Sequence, residues 1–119
     1  MTHPPNQTPR IRELNDQFRR DLPHGSVIIT RGVSHQFNNY QLREIIKAVQ
    51  AFEAFGSESN PLDEHDSGAI EFDGMQLRWV IDACGEYWAF QSPDPTEESV
   101  TRRYLLLMLN GEDGYRDSA

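Results

Sequence analysis

Positive charge is nearly missing from the middle of this chain. Between Lys47 and Arg102 stand twelve acidic residues and a single basic one, Arg78. The segment before it holds seven Lys or Arg against four Asp or Glu, and the segment after it is balanced. A block of one sign repels nucleic acid and anionic membranes and attracts basic protein surfaces or cations. Cysteine is as scarce. Cys84 stands alone, so no intramolecular disulfide and no Cys-based metal cluster can form. A reducing compartment fits that usage. No run approaches the roughly 20 apolar residues that a membrane helix needs, and Met1 to Arg10 lacks the apolar core of a signal peptide. The expectation is a soluble cytoplasmic protein.

Hydrophobic residues make up only 37 % of the 119 residues, but they are clustered and periodic, as a folded domain requires. The length fits one domain with a core of its own. Residues 1–7 read as a disordered lead-in, 8–111 as the domain and 112–119 as a frayed tail. Thr8 caps a first helix with Pro9 at its first position. Ile11, Leu14, Asn15 and Phe18 share one of its faces, Arg10, Glu13, Arg19 and Arg20 lie on others, and Leu22-Pro23 ends it. Ser26–Thr30 is a β-branched, apolar run between Gly25 and Gly32 and reads as a buried strand. A second helix runs from Asn38 or Asn39 to Gly56 on the stripe Leu42, Ile45, Ile46, Val49 and Phe52.

The sharpest local signal is Asp73-Gly74, a two-residue hairpin turn in which both residues need positive φ. It pairs Phe72 with Met75, Ile70 with Leu77 and Gly68 with Trp79, all on one face. Arg78 is expected near Glu71 on the other. Tyr87–Phe90 returns as a third strand after a turn at Cys84-Gly85. Thr96 then caps a last helix, with Glu97 and Glu98 in its first turn and Val100, Tyr104, Leu107 and Met108 as its stripe. The predicted fold is α+β: a small, mostly antiparallel sheet of about four strands around the central hairpin, packed with about three helices.

Several stretches taken together carry a resemblance. They are Ile11-Arg12-Glu13-Leu14-Asn15-Asp16, Glu64-His65-Asp66-Ser67-Gly68, Trp79-Val80-Ile81-Asp82, Ser92-Pro93-Asp94-Pro95 and Met108-Leu109. With them the chain resembles, over about residues 10–110, a bacterial domain-of-unknown-function family of short proteins. The resemblance implies a plasmid or mobile-element setting and no activity. Ala83-Cys84 and Ser67 stand where the family pattern has aromatics.

Asp63-Glu64-His65-Asp66 is the densest polar cluster. Histidine beside carboxylates suits zinc or manganese, so a small metal-dependent enzyme or binding module centred on His65 and Asp66 is one reading. The plainer reading is a solvated loop in which Asp66 caps the hairpin and His65 packs on an aromatic. Cys84 has acids beside it, which blunt a thiol. No phosphate loop, dinucleotide fingerprint or nucleophile elbow is present. The expectation is therefore a non-enzymatic acidic interaction module without catalytic residues, metal or cofactor. Its partner is a basic protein, with no direct contact to nucleic acid or membrane, and a homodimer is compatible with its charges. Its surface would be formed by Glu58, Asp63, Glu64, Asp66, Glu71, Asp73, Asp94, Glu97 and Glu98. The setting that the resemblance implies makes inhibition of a CRISPR or restriction complex the sharpest form.

Overall fold

A computed structural model describes residues 7–56, 62–85, 91–113 and 116–118. It has three helices and a four-stranded, mostly antiparallel sheet, the α+β class expected. The order is α1 (Thr8–Asp21), β1 (Val27–Ile29), α2 (Arg31–Gln36), α3 (Asn39–Gln50), β2 (Ser67–Phe72), β3 (Met75–Cys84) and β4 (Arg102–Leu109). Across the sheet the strands run β1-β4-β3-β2, with β1 parallel to β4 and the other pairs antiparallel.

Local chemistry explains most boundaries. Gln7, not Thr8, is the N-cap of α1, with proline in the first turn. Leu22 ends α1 in the left-handed region at φ 37°, donating its N–H to the Phe18 carbonyl. Asn38 and Gln41 form a reciprocal capping box at the start of α3. That helix stops at Gln50, one turn or more short of Gly56, and Phe52 to Gly56 run on irregularly. The hairpin forms as expected: Phe72–Met75, Ile70–Leu77 and Gly68–Trp79 are partners, and Asp73 and Gly74 take φ of 50° and 79°. Arg78 lies opposite Ala69, and Glu71 accepts from Gln76 at 3.0 Å. The strand expected over Tyr87–Phe90 lies outside the described residues.

The expected last helix is a strand. Residues 102–109 pair with β3 on one side and β1 on the other. Leu105, Leu106, Leu107 and Met108 are all buried. A strand covered on both faces loses its apolar–polar alternation, and a short apolar run then matches a helical stripe equally well. Only a 3₁₀ turn, Glu98–Val100, precedes it. Conversely α2 occupies a segment for which no element was expected. The Thr30 hydroxyl accepts from the Val33 N–H at its start. Ser26–Thr30 makes an edge strand of three partly buried residues rather than a fully buried one.

The helices cover one face of the sheet. Val33, Phe37, Ile45 and Val49 pack there on Leu77, Trp79, Ile81, Leu105 and Leu107. Gly68 faces the same core. A Cβ at that position would lie 2.7 Å from the Trp79 Nε1 and 2.8 Å from the Phe52 ring, so the strand can pass under two aromatic rings only without a side chain.

Glu112 ties β4 to α2. Its carboxylate accepts from the Thr30 hydroxyl at 2.5 Å, the Leu109 N–H at 2.9 Å and the Gly32 N–H at 3.1 Å. Burial pushes this carboxyl up, but the three donors outweigh it and hold it below the usual range. Glu112→Ala should cost about 1–3 kcal/mol, discounted for its partial exposure. Because the folded value is depressed, that contribution exists above the unfolded carboxylate range and is lost as pH falls through the folded one. Urea melts of both proteins at pH 7 and near pH 3 check it, and an equal difference at both pH values would count against the clamp.

Candidate functional site

The first turns of α1 bring polar groups onto a buried face. Ile11 and Leu14 are core residues, and Asn15 beside them is 4 % exposed. Its amide has two long-range partners. Nδ2 donates to the Glu64 carbonyl at 2.9 Å, and Oδ1 accepts from Arg103 Nε at 2.8 Å. Arg103 also donates to the Pro95 carbonyl at 2.7 Å. Burial pulls the Arg103 guanidinium below its usual value, with Glu98 opposing. One asparagine thus joins helix, acidic loop and central strand.

The loop Asp63–Asp66 is held at each residue. Asp63 and His65 both have left-handed φ, 56° and 55°, a conformation that costs a non-glycine residue energy and persists only where neighbours enforce it. Arg12 grips Asp63 twice, at the carbonyl (2.8 Å) and the carboxylate (2.7 Å). The His65 ring lies flat on Phe55, 3.8 Å between centroids. Its Nδ1 is 2.9 Å from Asp16 and its Nε2 is 3.4 Å from Asp63. Asp16 also accepts from Arg19 at 2.9 Å. Burial raises the Asp16 carboxyl, but the hydrogen bonds from Arg19 and His65 prevail and hold it below the usual range. Asp66 continues the hairpin through its backbone, where its carbonyl accepts from the Ile81 N–H at 2.7 Å.

Between α1, this loop, the end of β3 and residues 91–95 lies a cavity of about 230 Å³. Glu64, Asp66 and Asp82 line it together with Asn15, Gln91 and Ser92, over a floor that includes Ile11 and Ile81. The neighbouring arginines, 12 and 103, are engaged with Asp63 and with Asn15 and Pro95, so acids dominate the lining. Among the described residues no group of three His, Cys, Asp or Glu is placed to hold a metal ion. Cys84 is buried at the end of β3.

The nine expected surface acids divide. Glu58 lies outside the described residues. Glu64 and Asp66 line the cavity, where Glu64 is 7 % exposed and points no charge outward. Asp63 is exposed on the same loop. Glu71 and Asp73 sit at the hairpin end of β2, about 20 Å away at the rise of a strand. Asp73 accepts from Gln41 there at 3.3 Å. Asp94 is turned inward onto Thr96, while Glu97 and Glu98 are exposed before β4. Among the described residues the structure thus forms an acidic cavity and, apart from it, an acidic hairpin tip. Asn15, Asp16, Asp82 and Arg103 were missed as site residues. An asparagine in an apolar helical stripe was the one available signal.

Burial pushes the Asp66 carboxyl up, against its own backbone amide and His65, which pull it down. A raised acid carries no penalty when protonated and an increasing one as pH rises through the carboxylate range. Asp66→Asn should therefore raise Tm at pH 7, and the gain should vanish below the ordinary Asp value of about 3.9. Thermal melts across that range check it. A loss of stability at pH 7 would show that the ionised form is the favoured one.

No curated protein and no solved structure matches the chain. A family model described as "Protein of unknown function (DUF3768)" matches residues 29–112, from the end of β1 through β4 to Glu112. The chain therefore belongs to that family of proteins of unknown function.

Proposed function

We propose that this protein is a non-enzymatic interaction module that receives positively charged groups of a basic protein partner. The observation that carries the reading is the cavity lined by Glu64, Asp66 and Asp82, while Arg12 and Arg103 beside it are bonded to Asp63 and to Asn15. An apolar floor beneath carboxylates suits a Lys or Arg side chain, with an aliphatic stem and a charged head. Docking of this kind is steered by charge and weakened by salt. The sharper form of the proposal is inhibition of a nucleic-acid-handling complex of the CRISPR or restriction type. It draws on the mobile-element setting that the family resemblance implies.

Titration calorimetry with Lys- and Arg-containing peptides tests the module. Affinity should fall steeply between low and moderate salt, and Asp66→Asn with Asp82→Asn should weaken it about tenfold, as loss of a charge-assisted contact does. Binding indifferent to both salt and charge would refute the reading. DNA binding by a purified CRISPR or restriction complex, with and without the protein, tests the sharper form.

A further inference from the structure

The two edges of the sheet differ. At the β1 edge the strand is only three residues long, and just beyond it Thr30 bridges Ser118 while Arg31 donates to the Asp117 carbonyl. At the other edge, β2 runs six residues without proline, lysine or arginine, the usual devices that deter pairing. Its register shows which main-chain groups face out. Phe72 and Met75 flank a two-residue turn and are a bonded pair, so bonded pairs recur at Ile70–Leu77 and Gly68–Trp79. The Asp66 carbonyl accepting from Ile81 continues the same phase. The N–H and C=O groups of Ala69 and Glu71 therefore point away from β3, and among the described residues they have no backbone partner.

We infer that the outer edge of β2 takes an extended, Lys- or Arg-bearing segment of the partner as a fifth strand. This rests on the acidic-module reading and specifies how the partner is held. Charge complementarity selects the occupant. A strand laid along β2 passes Glu71 and then Asp73 at the turn, while Asp66, at the far end of β2, lies on the opposite, cavity-lining face. Alternate side chains of the incoming strand fall on two faces. One set lies beside the partly buried Ile70 and Phe72 and should be apolar. The other lies beside Ala69 and Glu71 on the opposite face, and its basic side chain belongs next to Glu71 at the turn end, away from Arg78, which stands opposite Ala69 on β3. A second copy of β2 would add another Glu71 and no Lys or Arg to this edge, so its charges do not complement it.

The test uses a short capped peptide alternating Lys with Val and Thr, a helical Lys-Ala peptide of equal charge, and the extended peptide N-methylated at alternate residues. With the extended peptide, the Ala69 and Glu71 amides should become protected from hydrogen exchange. Ala69→Pro removes only an outward donor and leaves the β2–β3 bonds intact. It should weaken the extended peptide about tenfold, the equivalent of one or two hydrogen bonds, and leave the helical peptide unchanged. Because N-methylation alters the peptide and not the protein, it tests the same bonds with the fold untouched. If the helical and N-methylated peptides bind equally well and the two amides stay unprotected, the edge is not the site, although the acidic module stands. If no Lys peptide binds at low salt, both readings fall. Concentration-dependent dimerisation abolished by Ala69→Pro would assign the edge to a second copy and overturn the inference.

Discussion

Asp16→Ala is expected to destabilise the protein by about 3–5 kcal/mol, because removing one partner strands a buried charge. That is a large share of a typical total of about 5–15 kcal/mol. Arg19 is 1 % exposed and lies against the Phe55 and Trp79 rings, 5.1 and 5.5 Å from their centroids. Its remaining strong contact is to the Phe52 carbonyl at 3.0 Å, and its Nε has no partner among the described residues. The same substitution removes the Asp16 partner of the His65 ring. Arg19→Met alone should cost far less, since the thioether fits among rings and Asp16 keeps His65. The double variant Asp16→Ala with Arg19→Met should recover most of the loss. Denaturant melts of the four proteins form a double-mutant cycle. A cost below about 1 kcal/mol for Asp16→Ala would mean that the guanidinium reaches water and is not a buried charge. The Asp16 carboxyl is depressed in the folded protein, so the advantage of wild type over Asp16→Ala should persist at neutral pH. It should shrink as pH falls through the folded value.

Trp79→Ala should cost about 3–5 kcal/mol and leave the aromatic cluster open. Trp79 is completely buried and meets Phe52 and Phe55 edge to face, at 5.4 and 6.1 Å between centroids. It also roofs Gly68 on the neighbouring strand and lies beside Arg19. Trp79→Phe should cost much less than the alanine variant. The indole N–H is buried with no acceptor among the described residues, so phenylalanine removes a group that loses water without regaining a hydrogen bond. Thermal and urea melts decide between the two. A loss for phenylalanine as large as that for alanine would show that the indole itself is needed and that removing its N–H brings no relief.

Which parts of this fold were legible follows from the range of the forces involved. The β2–β3 register came from a dipeptide turn and an alternation of two, both local, and the three apolar-face pairs expected there, Phe72–Met75, Ile70–Leu77 and Gly68–Trp79, are formed. The capped start of α3 was local too. β4 was misread because Leu105 to Met108 are buried on both faces, and no local pattern separates such a strand from a helix stripe. Leucine, moreover, is a strong helix former. The six residues of α2 are too few for a period to register, and part of what fixes them is a carboxylate from Glu112, far along the chain. The site was harder still. Glu64 looked like a surface acid until the loop folded under α1, and Asn15 gained its meaning only from Glu64 and Arg103. The histidine on an aromatic was foreseen as a type of contact, but neither Phe55 nor Asp16 was identifiable in advance.

The strand order also sets when the protein can be finished. Val27 finds its partner only at Leu105, and the inner edge of β3 waits for the same strand. During synthesis the hairpin and the three helices emerge with their central neighbour still missing. Two open strand edges and a bare tryptophan face are then presented to whatever is nearby. Most of the sheet's long-range pairing is thus completed in one late step, which makes for slow, all-or-none folding. A chain interrupted before Leu105 would be a substrate for chaperones and proteases and not a smaller version of the domain.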